Sequence, residues 1–272
     1  MNRYLQLFRT GNALMGIIGV VVAAFMAAGT DIVDHPLNLI LSAVVVFLFI
    51  CGGNALNDGI DAVIDRTAHP ERPVPMGLMT AEHAKNVGLS MLLLAMGVSL
   101  FTFDLVCIVI VVIAALLMIA YETMLKQRGF VGNVTIAIMT GLMFVLGGAV
   151  VGHAQDNIIV GLMAMLVSIG REIAKDIEDM DGDEGRSTLP MRIGVRASSA
   201  LACVFFVAGP VLSIAPMIWQ TYGILYYAVV VADLMFLYCA IRVFTDPHMA
   251  QSMAKKAMFV ALLAFILGVL PF

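Results

Sequence analysis

Long apolar runs separated by short polar stretches cover most of the chain. Nine runs can be marked, at about 13–29, 37–56, 84–101, 105–121, 131–152, 157–174, 198–218, 223–243 and 254–270. Their lengths match what an α-helix needs to cross the hydrocarbon core of a bilayer. The runs are continuous rather than alternating, which favours helices over the strands of a β-barrel. The pattern predicts an all-α, polytopic membrane protein with nine transmembrane helices, in a single domain over 1–272.

Composition agrees with this prediction. Of the 272 residues, 61% are hydrophobic and only 12% are charged, and the mean hydropathy is +1.00. A soluble domain could not bury that much apolar surface. The four cysteines occur singly in apolar runs without a metal-binding spacing, so we interpret them as packing residues. We predict a membrane bilayer as a partner and no nucleic acid.

The basic residues predict the orientation of the helices. With nine spans, all 15 Lys and Arg residues fall on one side of the membrane. The loops on the opposite side carry Asp31, Asp34, Asp104 and Asp156 and no basic residue. Because cytoplasmic loops are enriched in Lys and Arg, this segregation predicts a cytoplasmic N-terminus and an outside C-terminus in the cell membrane.

An acidic motif, NALNDGIDAVIDR, closes the second apolar run at 54–66. Its residues Asn57, Asp61 and Asp65 are four positions apart, which places them along one face of an α-helix, with Asp58 beside them. Carboxylates that face the same way repel each other unless a cation lies among them. Mg²⁺ suits such a row because it takes oxygen ligands, often one or two carboxylates together with phosphates. The alternative is a solvated helix end with ordinary surface charges.

A second acidic motif, REIAKDIEDMDGD, follows the sixth run at 171–183. Steps of three and four relate Asp176, Asp179 and Asp183, while Asp181 points elsewhere if the helix continues that far. Two Mg²⁺-binding rows facing each other on one side of a membrane would hold a diphosphate and neutralise its charge as it departs. Nearby cations that could contact the same anion are Arg72, Lys126 and Arg128. Prenyl donors combine a diphosphate leaving group with a hydrocarbon that belongs in a bilayer.

These motifs resemble those of the UbiA superfamily of intramembrane prenyltransferases. NDGIDAVIDR matches its NDxxDxxxD motif, and PERPVPMG is similar to the PxRPxPxG that follows. KDIEDMDGDEGRSTLPMRIG resembles the second aspartate motif with its GxxTLPxxxG tail. RTGN at 9–12 and YETMLK at 121–126 resemble two further family motifs, although the Tyr-to-Lys spacing is five here and four in some members.

The resemblance implies a cavity among the nine helices, with two Mg²⁺ ions that bridge the diphosphate at its cytoplasmic mouth. One ion would be held by Asn57, Asp61 and Asp65 with support from Asp58, and the other by Asp176, Asp179 and Asp183. The resemblance further implies diphosphate binding by Arg9, Arg72, Lys126 and Arg128, carbocation stabilisation by Tyr121, and head-group binding by Asn12. The catalytic set on this basis is Asp61, Asp65, Asp176, Asp179, Tyr121 and Lys126. Glu122 is interpreted as a cap of the helix end near Lys126.

The second motif most resembles that of members that attach the second ether chain of archaeal lipids. This implies geranylgeranyl diphosphate as the donor and geranylgeranylglyceryl phosphate, a phosphorylated lipid, as the acceptor. Arg171 and Lys175 are placed to bind the acceptor phosphate, or else they pair with the neighbouring acids Glu172, Asp176 and Asp179.

Two other functions remain open. One is an aromatic prenyltransferase of quinone or chlorin synthesis. The other is a cation or phosphate transporter, which would carry acids at several depths of the membrane. Here the acids concentrate at one side, and Asp233, midway along the eighth run, is the main exception. An intramembrane acid is a functional candidate, but a hydrogen bond to a neighbouring helix is the simpler interpretation of Asp233.

Overall fold

A computed structural model describes residues 3–180 and 187–270. These ranges contain twelve α-helices and no strand. The helices are α1 (Arg3–Phe8), α2 (Thr10–Ala28), α3 (Pro36–Ile60), α4 (Asp65–Ala68), α5 (Ala81–Ser99), α6 (Leu105–Ala120), α7 (Phe130–Val150), α8 (Ile158–Glu178), α9 (Leu189–Ile193), α10 (Val195–Trp219), α11 (Val229–Arg242) and α12 (Pro247–Val269).

Nine helical segments in the described ranges are long and apolar enough to cross a membrane. Short 3₁₀ or π turns extend several of them. The segments are Thr10–Asp34, Pro36–Ile60, Ala81–Thr102, Leu105–Leu125, Phe130–Val150, Ala154–Glu178, Val195–Trp219, Ile224–Arg242 and Pro247–Val269. The prediction of an all-α fold with nine spans is confirmed.

Several of these helices extend beyond the apolar runs that predicted them, among them α3, α8 and α12. α12 begins at Pro247 instead of 254, with Asp246 accepting a hydrogen bond from the Met249 backbone N–H at 2.9 Å as a cap. α3 continues to Ile60 and α8 to Glu178. Apolarity marks the part of a helix that lies in hydrocarbon, whereas caps and turn residues decide where the helix ends. Both acidic motifs therefore begin on helices that project past their apolar segments.

In the first compact unit, which comprises Met1–Met124 and Leu146–Gln155, α3 packs closely on α5. A Cβ atom on Gly88 would lie 2.6 Å from the backbone nitrogen of Leu56 and 2.8 Å from the backbone oxygen of Gly52. Small residues at such a crossing let two helix backbones approach closely in a membrane protein. The crossing fixes the end of α3, where the first acidic motif lies.

The second compact unit comprises Leu125–Val145 and Asp156–Phe272, and α8 packs on α10 within it. Ile173 is fully buried and anchors the last turns of α8, which carry the second acidic motif. On α11, Asp233 accepts a hydrogen bond from the Ser213 hydroxyl of α10 at 2.7 Å. This acid therefore has an interhelical partner, as its simpler interpretation expects.

Candidate active site

The first acidic motif lies where α3 ends. The helix stops at Ile60, and Asp61 occupies the C-cap position, its backbone N–H donating to the Asn57 carbonyl at 2.8 Å. The Asp65 N–H donates in turn to the Asp61 carbonyl at 2.8 Å, and α4 begins at Asp65. The motif does not lie on one continuous α-helix, because a turn follows Ile60. The backbone nevertheless keeps the four-residue steps between Asn57, Asp61 and Asp65.

All three carboxylates of this motif are buried. Asp58 is fully buried, Asp61 is 6% exposed and Asp65 is 3% exposed. Charged groups are rarely buried without partners, because leaving water costs them several kcal/mol. The alternative of a solvated helix end with ordinary surface charges is therefore wrong for this motif.

Two arginines supply the opposing charge. Arg9 forms an ion pair with Asp58, and Arg72 donates to Asp65 Oδ2 at 2.6 Å while lying 3.6 Å from Asp58 Oδ1. Arg9 reaches the site from the junction of α1 and α2, where its backbone adopts a left-handed conformation with φ 45°. Asp58 Oδ2 is buried and has no hydrogen-bond partner among the residues described. Asp58 thus faces guanidinium groups, an arrangement consistent with the supporting role predicted for it.

Asn57 connects the motif to a further buried acid. Its Nδ2 atom donates to Asp61 Oδ2 and to Glu122 Oε2, both at 3.0 Å. Glu122 is 5% exposed and lies in a single π-helical turn, Tyr121–Leu125, that follows α6. Sequence reasoning missed this contact, since it assigned Glu122 to the helix end near Lys126. An acid directly at the end of an apolar run was the signal that pointed to it.

The same arginines line an open pocket of about 620 Å³ in the first unit. The pocket brings together Arg9, Asn12 and Arg72, three residues predicted to bind substrate, with His69 and Glu71 at its edge. A hydrogen bond from its own backbone N–H, aided by the neighbouring His69, lowers the pKa of Glu71, so the edge carries one negative charge at neutral pH. The guanidinium groups of Arg9 and Arg72 and the amide of Asn12 give this pocket donors suited to an anionic head group.

The second acidic motif begins in the same way at the end of α8. Asp179 is the C-cap residue, and its backbone N–H donates to the Lys175 carbonyl at 2.9 Å. Asp176 is half-buried and accepts a hydrogen bond from Asn133 Nδ2 of α7 at 2.9 Å. Asp179 is exposed. Asn133 was not singled out in the sequence, where it is a lone polar residue near the start of an apolar run.

Four further residues singled out near this motif are Asp181, Asp183, Arg171 and Lys175. Asp181 and Asp183 lie outside the described residues. Arg171 forms an ion pair with Glu172, which is the structural alternative left open for it, whereas Lys175 is exposed.

The tyrosine–lysine motif begins in the π-helical turn Tyr121–Leu125, and Lys126 follows directly after it. Tyr121 and Lys126 are half-buried and Arg128 is exposed. Since a π turn closes its hydrogen bonds between residues five apart, a Tyr-to-Lys spacing of five corresponds to about one turn of it. The spacing of five residues, which is four in some family members, therefore fits the local π-helical backbone of this chain. Gly129 follows with φ 61°, and a Cβ atom there would lie 2.8 Å from the Ser187 carbonyl.

The oxygen donors of both motifs fit Mg²⁺ that is shared with a phosphate group. Among the residues described, no three His, Cys, Asp or Glu side chains are grouped so as to hold a metal on their own. Mg²⁺ usually binds through one or two carboxylates, keeps several waters and takes substrate phosphates as further ligands. Asp61 with Asn57 in one motif, and Asp176 with Asp179 in the other, match that mode better than an all-protein cage.

Known proteins resemble the chain over nearly its full length. The model of the UbiA prenyltransferase family matches residues 17–263. Digeranylgeranylglyceryl phosphate synthase of Methanosphaera stadtmanae is 34% identical over 280 residues, covering 99% of this chain and 100% of the relative. A solved structure concerned with the biosynthesis of digeranylgeranylglyceryl phosphate synthase in membranes is 32% identical, with a TM-score of 0.85 over 98% of this chain and 97% of that one.

A more distant structure shares the fold. It is a UbiA homologue from Archaeoglobus fulgidus bound to GPP and Mg²⁺, 13% identical, with a TM-score of 0.65 over 98% of each chain. The apolar helices of the described ranges, the motifs at the ends of α3 and α8, and these full-length matches lead to one assignment. The chain is a multi-pass membrane protein that belongs to the UbiA prenyltransferase family.

Proposed function

We propose that the protein transfers a geranylgeranyl group from geranylgeranyl diphosphate to geranylgeranylglyceryl phosphate, forming the second ether bond of archaeal membrane lipids. The observation that carries the proposal is the buried acidic motif at the end of α3, whose partners Arg9 and Arg72 line an open pocket. The similarity to digeranylgeranylglyceryl phosphate synthases over 99% of the chain supports the choice of acceptor.

We assign the metal ligands to the two acidic motifs. Asn57 and Asp61, with Asp65 nearby, would hold one Mg²⁺, and Asp176 with Asp179 would hold another, with Asp183 as a further candidate ligand. Bound Mg²⁺ neutralises charge on the departing diphosphate. The paired motifs in the sequence support two ions, and the Archaeoglobus fulgidus homologue bound to GPP and Mg²⁺ supports the cation.

Cationic side chains would bind the diphosphate. We assign this role to Arg9, Arg72, Lys126 and Arg128. Arg9 and Arg72 already balance buried carboxylates, so their guanidinium groups are held in place before a substrate arrives, which lowers the cost of ordering them on binding. Asp58, paired with Arg9, would act by positioning these groups rather than by binding metal.

In the proposed reaction, the bond between C1 of the prenyl chain and the diphosphate oxygen breaks, and its electron pair leaves with the diphosphate. The ring face of Tyr121 would stabilise the allylic cation that remains. The acceptor hydroxyl oxygen then forms the new bond to C1 and releases its proton to water or to the diphosphate. Asn12 and Lys175 would bind the head group and phosphate of the acceptor.

We also propose that the active site opens to the cytoplasm. With nine spans, the basic residues all lie on the side that carries both acidic motifs, and the positive-inside rule makes that side cytoplasmic. Labelling of an introduced cysteine at position 34 and at position 66 in intact cells would test the orientation. A membrane-impermeant reagent should reach position 34 and not position 66, and the reverse would overturn the assignment.

The acceptor is tested by competition. Purified protein with Mg²⁺ and labelled geranylgeranyl diphosphate is given geranylgeranylglyceryl phosphate, 4-hydroxybenzoate, or both, and the products are identified by mass spectrometry. The proposal predicts that label enters the lipid phosphate in both reactions that contain it, with one diphosphate released per ether bond. Label in the aromatic acid alone would show an aromatic prenyltransferase instead.

A further inference from the structure

The side chain of Glu122 has no role in the reaction proposed above, yet it is buried at the end of an apolar span and contacts Asn57. We propose that Glu122 is a positioning residue that turns the Asn57 amide so that its carbonyl oxygen, Oδ1, faces the cation. This inference rests on the proposed function only in taking Asn57 as a metal ligand.

The hydrogen bonds of Asn57 fix which way its amide points. The Nδ2 group carries two hydrogens, and carboxylate oxygens lie at 3.0 Å in two directions, Asp61 Oδ2 and Glu122 Oε2. An ionised carboxylate accepts hydrogen bonds only, so the nitrogen, and not the carbonyl oxygen, must face both acids. With both N–H groups used in this way, Oδ1 is directed away from the two carboxylates.

This orientation is what a hard cation requires. Mg²⁺ binds oxygen ligands, and an amide nitrogen has no lone pair to offer it. Asp61 alone would hold the amide through only one of its two N–H groups. Glu122 provides the second acceptor, so a flipped amide would set its carbonyl oxygen against a buried carboxylate. The pair of acids therefore selects one of two otherwise equivalent side-chain orientations.

The location of Glu122 makes an incidental contact a poor explanation. The residue is 5% exposed and belongs to the membrane-spanning segment Leu105–Leu125, where an apolar side chain would be less costly. It also lies in a π-helical turn, a local departure from α-helix that occurs frequently at functional sites. Residues that orient a metal ligand in this manner typically change metal affinity about 10- to 100-fold when they are replaced.

Two replacements of similar size test the inference. Glu122→Gln keeps an oxygen acceptor for the Asn57 amide, whereas Glu122→Met fills the same space without one. Binding of Mn²⁺ to the full-length protein in detergent, in the presence of inorganic diphosphate, is followed by electron paramagnetic resonance. We expect the Gln variant to bind Mn²⁺ within about threefold of the parent protein and the Met variant to bind about tenfold more weakly.

A double variant separates orientation from packing. If Glu122 acts through Asn57, Glu122→Met should cause no further loss of Mn²⁺ affinity in a protein that already carries Asn57→Ala, because coupled residues are not additive. An equal, additional loss in that background would show that Glu122 only packs.

Either of two results in the single variants overturns the proposal: parent-like Mn²⁺ binding by Glu122→Met, or a tenfold loss in Glu122→Gln. The Gln variant keeps the shape and the hydrogen bond, so it is informative even if the Met variant does not fold. The readout uses neither prenyl donor nor acceptor. If the proposed acceptor is wrong, the Mn²⁺-binding result for Glu122 is unaffected. If the Glu122 test fails, the proposed reaction is still tested separately by identifying its product.

Discussion

The two acidic motifs start from nearly the same backbone and differ in what surrounds their carboxylates. Each motif meets a helix end at an aspartate in the C-cap position, Asp61 with φ −84° and ψ 11°, and Asp179 with φ −84° and ψ −1°. In each case the backbone N–H of that aspartate donates to the carbonyl four residues earlier. Each motif also contains an aspartate that accepts from an asparagine amide, at 3.0 Å from Asn57 and at 2.9 Å from Asn133.

The surroundings of the two motifs differ in burial. In the first motif the aspartates are at most 6% exposed, and Arg9 and Arg72 balance Asp58 and Asp65. In the second motif Asp176 is half-buried and Asp179 is exposed. The first motif is thus built into the protein interior beside two arginines, whereas Asp179 of the second motif is open to solvent.

This difference distinguishes what a motif residue contributes to folding from what it contributes to binding, which the motif sequence alone does not show. A buried carboxylate with arginine partners contributes to folding as well as to binding, because removal of either partner leaves an uncompensated charge. An exposed carboxylate contributes little to folding, so replacing it affects activity with little effect on stability. Variants of the first motif should therefore lose stability and activity together, and variants of the second should lose activity alone.

The largest effect is expected from the C-cap aspartates. Asp61→Ala and Asp179→Ala should each lower turnover of geranylgeranyl diphosphate by about a thousandfold or more, because a metal ligand supplies several kcal/mol of charge stabilisation in the transition state. Release of diphosphate from the labelled donor measures the loss. Asp34→Ala, at an exposed acid outside both motifs, is the matched control and should keep normal turnover. Normal turnover in both motif variants would mean that the metal assignment is wrong.

The next effect concerns stability and contrasts one cation from each motif. Arg72→Met should destabilise the protein by about 3–5 kcal/mol, because it leaves Asp58 and Asp65 buried without this counter-charge. Lys175→Met, at an exposed position, should change the free energy of unfolding by no more than about 0.5 kcal/mol. Denaturant unfolding in detergent micelles, followed by circular dichroism, measures both. Equal stability of the two variants would remove the distinction between the motifs.

A smaller effect is expected from Asn133. Its amide donates to Asp176, so Asn133→Ala should weaken Mg²⁺ about tenfold in the steady-state Mg²⁺ dependence while leaving kcat at saturating Mg²⁺ near normal. Thr140→Ala on the same helix serves as the control, since its hydroxyl donates to the Ile136 carbonyl of α7 and lies outside both motifs. An unchanged Mg²⁺ dependence in Asn133→Ala would show that Asp176 does not need this partner.

The smallest effect distinguishes the two cations near the second motif. Because Arg171 is paired with Glu172, Arg171→Met should leave the KM for the acceptor within about threefold, whereas Lys175→Met should raise it about tenfold. Initial rates at varied geranylgeranylglyceryl phosphate give both values, and the KM for the donor is the internal control. A larger rise in Arg171→Met than in Lys175→Met would exchange the two assignments.

Sequence pattern predicted the helices because hydrocarbon thickness sets the length of an apolar run. Each of the nine runs corresponds to a membrane-length helical segment in the part of the chain that the structure describes. Helix ends were less predictable. The turn after Ile60 and the early start of α12 depend on caps and local hydrogen bonds in polar sequence, where the apolar pattern carries no information. The i, i+4 steps of the first motif persisted through that turn because the Asp65 N–H still bonds to the Asp61 carbonyl.

The site was predictable at the level of residue type. Aspartates and arginines were identified from the motifs, but their pairing was not, because an ion pair such as Arg9 with Asp58 joins positions far apart in the chain. Glu122 and Asn133 were missed for the same reason. Each acts on a motif residue through a contact between helices, which spacing along one helix does not reveal.

The location of the cations tests the central claim most directly. A structure determined with geranylgeranyl diphosphate and Mn²⁺, with the anomalous signal of Mn²⁺ recorded, would show which oxygens bind the metal. We predict Mn²⁺ at Asn57 Oδ1 with Asp61, and Mn²⁺ at Asp176 with Asp179, while Asp58 stays paired with Arg9. Mn²⁺ bound to Asp58, or the absence of Mn²⁺ from both motifs in protein that turns over its donor, would contradict this account.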